Sequence, residues 1–229
     1  MRRAPLIFAA LSLSLLMLLC AGAARATSDP PGQTYRVVGF SADGKHVYFE
    51  KKWDGGAMAC HETWLVVYSV TTRRRVISLP MLRAGSDCQK KRISKAAGAA
   101  DRKKLHKRFG KPAAGTRARV VTKATKPGKG RVHVEARIAH KLPELSKGLD
   151  LIADRKRHGS ARVRLYLWRA GSKRRRVYDK RMRIDPVADP GGAMMLVWPK
   201  LQVSDAMLGA GGKHLAFVFN RRPYVIAAK

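Results

Sequence analysis

Acid is what this sequence lacks. Fifteen Asp and Glu stand against 48 Lys and Arg, for a formal net charge of +33. A field of that sign argues against cationic partners and attracts polyanions or anionic surfaces at long range. Cysteine is scarce as well, three in 229 residues, which excludes a disulfide-dense scaffold. Beyond the first twenty or so positions no run is long and apolar enough to cross a bilayer as a helix, which takes about 20 residues. The sequence also has no G-x-S-x-G elbow, no H-E-x-x-H and no phosphate loop. Asp150 and Asp154 lie four apart, and carboxylates at that spacing on a strand or turn read as surface residues. No catalysis and no cofactor is expected.

What is present begins with an address. Arg2 and Arg3 precede an apolar run over 6–19, and Ala24-Arg25-Ala26 supplies small residues two apart. This is the three-part pattern of a secretory signal peptide, with cleavage expected after Ala26 and a secreted or periplasmic destination. Leu19 stands before Cys20, where a lipoprotein signal wants a small residue, so lipidation is the weaker reading. The mature chain is then 229 − 26 = 203 residues, and its charge is +33 − 3 = +30, because the signal carries Arg2, Arg3 and Arg25 and no acid. Cys60 and Cys88 remain, in an oxidising compartment. A bridge between them is the economical reading, worth roughly 3 kcal/mol in the chain-entropy model; a metal site or free thiols are the alternatives. Cys60-His61-Glu62 is the densest cluster of ligand types, but neighbours on a strand point to opposite faces, so no metal is expected there.

The pattern is mainly β, with antiparallel meanders at both ends and one basic α-helix between them. Short apolar runs at 35–40, 46–50, 63–70 and 76–79, separated by turn residues, predict an N-terminal β region over 27–87. Over 88–131 the composition turns basic. A helix is expected within 88–111, with Ile93, Ala97, Ala100 and Lys104 on one thin stripe and Asp101, Leu105 and Phe109 near it. Strand patterning returns at 118–122 and continues through a C-terminal β region over 132–229. A helical turn is expected at 143–147 and strands at 149–153, 161–169, 176–184, 194–198, 201–204, 215–219 and 224–227. The whole of 27–229 also fits one domain by length.

One motif occurs twice. FSADGKHVYF at 40–49 aligns without a gap on LGAGGKHLAF at 208–217. In both, an apolar residue enters a tight turn and Lys-His leads into an alternating strand. Gly44 and Gly212 stand where a hairpin needs positive φ. Asp43 suits the turn by bonding nearby backbone N–H groups. Phe49 and Phe217 are expected in a core and His46 and His214 in solvent; the alternative is a site made of the two Lys-His pairs.

The first copy, with the 63–70 strand after it, resembles one blade of the WD40-like, TolB-type β-propeller repeats. Phe40, Ser41, Asp43, Gly44 and Phe49 match the repeat pattern over about 35–76. Two copies fall short of the four blades that close a propeller, so the resemblance implies shared turn grammar. The chain is also similar to predicted secreted bacterial proteins of unknown function that begin with this motif, and that similarity implies no activity.

Two basic stretches are the candidate sites. The first runs through Lys90, Lys91, Arg92, Arg102, Lys103, Lys104, Lys107 and Arg108. The second is Arg162, Arg164, Tyr166 and Trp168, on one face of a strand, followed by Arg174, Arg175 and Arg176. Arginine interleaved with aromatic rings stacks on planar groups and pairs with phosphate or carboxylate. The expected function is non-catalytic adsorption to an anionic envelope or matrix component, such as lipopolysaccharide, acidic polysaccharide or extracellular nucleic acid. The alternative is a structural or protein-interaction module whose charge is compositional.

Overall fold

The structure, a computed structural model, describes residues 32–54, 60–85, 92–113, 115–147, 149–188 and 195–228. The signal segment, Lys90, Lys91 and Cys88 lie outside them.

Strands β1 (Gly32–Ser41), β2 (His46–Asp54), β3 (His61–Ser69) and β4 (Arg75–Ala84) form an antiparallel meander. Helix α1 (Lys95–Phe109) follows, and β5 (Pro112–Ala113) then pairs with β1 to complete a sheet of order β4-β3-β2-β1-β5. The chain continues through β6 (Thr116–Val121), β7 (Val132–Lys141), the short helix α2 (Leu151–Lys156), β8 (Gly159–Arg169) and β9 (Arg175–Ile184). Strands β10 (Val187–Ala188) and β11 (Leu196–Val197) make a small pair. Three final strands, β12 (Val203–Leu208), β13 (His214–Phe219) and β14 (Arg222–Ala227), close the chain. The second large sheet has the order β14-β13-β12-β6-β7-β8-β9 and is antiparallel except where β6 runs parallel to β7. The mainly-β architecture expected from the sequence is the one observed.

The seven-stranded sheet curls until its two ends meet. Tyr178 of β9 packs edge-on against Phe217 of β13 at 5.3 Å, and the Tyr224 hydroxyl on β14 reaches Met182 Sδ at 4.0 Å. Arg175 donates to the Ala228 carbonyl at the same seam. Val134, Val163, Leu165, Leu167, Leu215, Phe217 and Phe219 fill the interior of this near-barrel. A second apolar layer lies outside its β12–β14 wall. There Met207, Ala216, Val218 and Val225 meet Val37, Phe40, Val47, Phe49 and Val66 of the first sheet. A third lies on the first sheet's other face, where Tyr48, Leu65, Val67 and Met81 are covered by Leu105 and Phe109 of α1.

The expected helix stripe is corrected by this packing. Gly98 and Leu105 are the buried residues of α1, whereas Ala97, Ala100 and Lys104 are exposed. The helix sits so close to β4 that a Cβ on Gly98 would run into the Met81 carbonyl oxygen. The glycine at the contact therefore sets the buried face. The strand expected at 149–153 is also overturned. The Asp150 carboxylate accepts from Ala153 N at 2.8 Å and caps α2, so the segment turns helical. No helix forms at 143–147.

The repeated motif builds two related tight turns that share the bond and the positive φ at Gly44 and Gly212 and differ one residue earlier, where Gly211 has φ +72° and Asp43 is not left-handed. Gly44 N donates to Ser41 O and Gly212 N to Gly209 O, both at 2.9 Å. Gly44 has φ +69° and Gly212 +68°. Asp43 Oδ1 accepts from Lys45 N at 3.0 Å and from the Ser41 hydroxyl at 2.6 Å. The Lys45 carbonyl receives Val70 N, and the Lys213 carbonyl receives Ala228 N. Each copy thus ties its turn to the end of the third strand of its own meander. The histidines do not face solvent as expected; both are half-buried. His46 packs edge-on against Phe109 of α1 at 5.0 Å.

The two copies also meet. The Phe40 ring lies 3.3 Å from the place a Cβ on Gly209 would take. Val37 N donates to Asp205 Oδ2 at 2.7 Å, and Arg117 bonds both Asp205 Oδ1 at 3.0 Å and Val37 O at 3.2 Å. Val37 and Asp205 are equivalent positions in the repeat, since 205 − 37 = 168 and 208 − 40 = 168.

Candidate polyanion-binding face

Strand parity divides β8 as the sequence suggests. Ala161, Val163, Leu165 and Leu167 point into the near-barrel, and Arg162, Arg164, Tyr166 and Trp168 point outward. The neighbouring strands extend that outer face in rows. Trp168 pairs with His133 on β7, Tyr166 with Glu135 on β7 and Arg176 on β9, and Arg164 with Arg137 and Asp179. Arg162 pairs with Ala139 on β7 and Arg181 on β9, and Ser160 with Lys141 and Arg183.

Two carboxylates organise the arginines. Asp179 receives Arg162 Nε at 2.7 Å and Arg162 Nη2 at 3.0 Å, and Arg176 Nη1 lies 3.1 Å away. Arg164 Nε approaches the same carboxylate at 3.4 Å. The Arg162 hydrogen bond, and then the charges of Arg162, Arg164 and Arg176, hold the Asp179 carboxyl below its usual range. Glu135 is 1 % exposed and takes Arg137 Nε at 2.5 Å and Arg174 Nη2 at 2.9 Å. The Arg174 guanidinium lies over the Tyr166 ring at 3.8 Å, and Arg137 approaches that ring at 5.3 Å. Five guanidinium groups are thus arranged by two carboxylates, leaving a local excess of three positive charges. Guanidinium N–H groups turned to solvent in fixed positions match phosphate, sulfate or carboxylate oxygens.

The structure separates the other sequence candidates from this face. Arg175 has the opposite parity and bonds the Ala228 carbonyl at the seam. Arg102, Lys103, Lys104, Lys107 and Arg108 are exposed on α1, which covers the first sheet on the side away from the near-barrel. Lys104 pairs with Asp101 at 3.6 Å, and Arg92 donates to the Gly85 carbonyl. The two basic stretches therefore occupy different layers. Sequence reasoning missed Arg137, Glu135, Asp179 and Arg181. Their one signal is strand parity, which needs the β7-β8-β9 register.

The remaining candidates resolve into structural roles. Burial first, then Arg73 and Lys213, push the His214 imidazole down. Asp154 is fully buried and is not the surface residue expected. Cys60 is buried at the entrance to β3, and Glu62 accepts from Trp64 Nε1 at 2.8 Å and from Arg83 Nε at 2.6 Å. Among the described residues no group of three His, Cys, Asp or Glu is placed to hold a metal ion. No described helix is long and apolar enough to cross a membrane.

Compared with known proteins, the chain matches no family model, no curated protein and no solved structure.

Proposed function

We propose that this protein is an exported, non-catalytic β-rich adsorption module that holds an anionic envelope or matrix component on the outer face of β7, β8 and β9. The observation that carries the reading is the set of five arginines ordered by Glu135 and Asp179 around Tyr166. Ordering the guanidiniums beforehand reduces the side-chain entropy that binding costs. The basic face of α1 supplies a second, less organised attraction. The signal peptide over 1–26, the Cys60–Cys88 bridge and the kinship of the turn with propeller repeats belong to the same proposal.

The test compares three sets of neutral replacements on a heparin column and in salt titrations. Arg164→Gln, Arg176→Gln and Arg181→Gln leave Arg162 on Asp179 and preserve the packing. Lys103→Gln, Lys107→Gln and Arg108→Gln remove the same charge from α1. Lys45→Gln, Lys200→Gln and Arg222→Gln scatter the change. The first set is expected to elute at the lowest salt and to flatten the log–log salt slope most, by roughly 0.9 for each phosphate left unneutralised when the polyanion is duplex DNA. Equal effects from all three sets would mean that the charge acts only in bulk, as in the compositional alternative.

A further inference from the structure

The β7–β8 connection carries a tip that the arginine face does not explain. Leu149 is 92 % exposed and Ile152 73 % exposed, while Val76, the next of the described large apolar residues, is 45 % exposed. The exposure is built into the loop. Asp154 accepts from Ser146 N at 3.0 Å and from the Ser146 hydroxyl at 2.6 Å. Ser146 Oγ in turn accepts from Asp150 N at 2.8 Å. Trp198 Nε1 donates to the Pro143 carbonyl at 2.8 Å, and Arg157 bonds the Glu144 carbonyl. These bonds hold Ser146, Asp150 and Asp154 in place, so the two side chains stay in water, with apolar area left to bury against a partner.

The surroundings name the partner's chemistry. Lys147, Arg155 and Lys156 are exposed beside the pair, and the outer face of the sheet ends in the row of Lys141 and Arg183, at the base of the same loop. A hydrated polymer supplies negative charge but no apolar phase. An anionic bilayer supplies both, in the order the tip requires: headgroups for the basic ring and acyl chains for the two aliphatic side chains. We infer that Leu149 and Ile152 insert into the headgroup–acyl boundary of an anionic lipid bilayer while Lys147, Arg155 and Lys156 engage its headgroups. This narrows the proposed anionic partner to a lipid surface and rests on that reading for the attraction alone.

Co-sedimentation with vesicles tests it. The purified protein is expected to bind phosphatidylcholine vesicles containing roughly one-third phosphatidylglycerol far better than phosphatidylcholine alone, since each basic residue near the surface adds roughly fivefold. L149S/I152S is expected to weaken binding to the anionic vesicles at least ~10-fold, with heparin elution unchanged. L149F/I152F is expected to strengthen it. Both residues are exposed, and an unchanged thermal melt shows that the fold is kept. An L149S/I152S protein that binds within about twofold of the original overturns the inference. An equal fall in heparin elution overturns it too, because the tip would then belong to the polymer face. Retention on heparin without any vesicle binding removes the lipid partner and leaves the arginine face standing.

Discussion

Gly44 sits at φ +69° with open space where a side chain would go, so replacing it tests the backbone alone. Gly44→Val is expected to cost about 1–2 kcal/mol from the left-handed conformation. Gly212→Val adds displacement of Arg169, whose guanidinium occupies the place of the new Cβ and bonds Gly212 O, so it should cost more. His46→Ala removes the edge contact on Phe109 and should cost about 0.5–1 kcal/mol. Urea denaturation of the three variants checks the order. A second residue-scale prediction concerns pH. Burial first, then Arg102 and Lys111, push the His106 imidazole down. His214 is shifted the same way. The folded state therefore favours the neutral rings. Above about pH 6.5 both states are neutral and nothing changes. As pH falls through that value the unfolded chain takes the proton first, and stability drops until the lower folded pKa is passed. The melting temperature should fall between about pH 7.5 and 5, and fall less in H106Q/H214Q. Asp43, Asp179 and Asp185, held down by hydrogen bonds and basic neighbours, keep their contributions until below about pH 3.9, so the windows separate.

At the scale of one element, α1 reverses a standard rule. Gly→Ala inside a helix normally stabilises by about 1 kcal/mol. Gly98→Ala should instead destabilise by about 2–3 kcal/mol, because the added methyl meets the Met81 carbonyl and neither backbone yields cheaply. Ala99→Gly, on the exposed side, should cost about 1 kcal/mol by propensity alone. Chemical denaturation of the pair decides whether packing or propensity governs. The existence of α1 and of the β1–β4 meander is legible in the sequence, because a 15-residue stretch rich in Ala, Lys and Arg and four short apolar runs are strong local signals. The helix's buried face is not, since a glycine packed on a strand carries no apolar signature. The outward parity of Arg162, Arg164, Tyr166 and Trp168 is legible from alternation within β8. Their counter-ions are not, because Glu135 and Asp179 come from other strands and only register brings them under the arginines. Helix α2 reads as a strand because Leu149, Leu151 and Ile152 are apolar, whereas the side-chain bonds of Asp150 and Asp154 decide the local geometry.

At the scale of the whole molecule, the two sheets share one apolar layer and one polar tie. Asp205 is 14 % exposed at its side chain and holds Val37 N and Arg117 together. Asp205→Ala strands the Val37 N–H and releases Arg117, and should cost about 2–3 kcal/mol. Because Phe40, Phe49 and Met207 belong to the same apolar layer, intrinsic tryptophan fluorescence and far-ultraviolet circular dichroism are expected to report one coincident transition. Two separated transitions would divide 27–229 into independently folding parts. The sheet order has a further consequence, for the sequence of events in synthesis. Strand β12 pairs with β6 across a long stretch of chain, Met207 opposite Arg117. The chain emerging from the ribosome has therefore made every strand up to β11 before either Val37 and Phe49 or Leu165 and Leu167 can acquire their opposite wall. Such long-range pairing slows folding to the millisecond-to-second regime. A chain that ends before Val203 has two unfinished cores, whose apolar faces stay open to chaperones and proteases until the last three strands arrive.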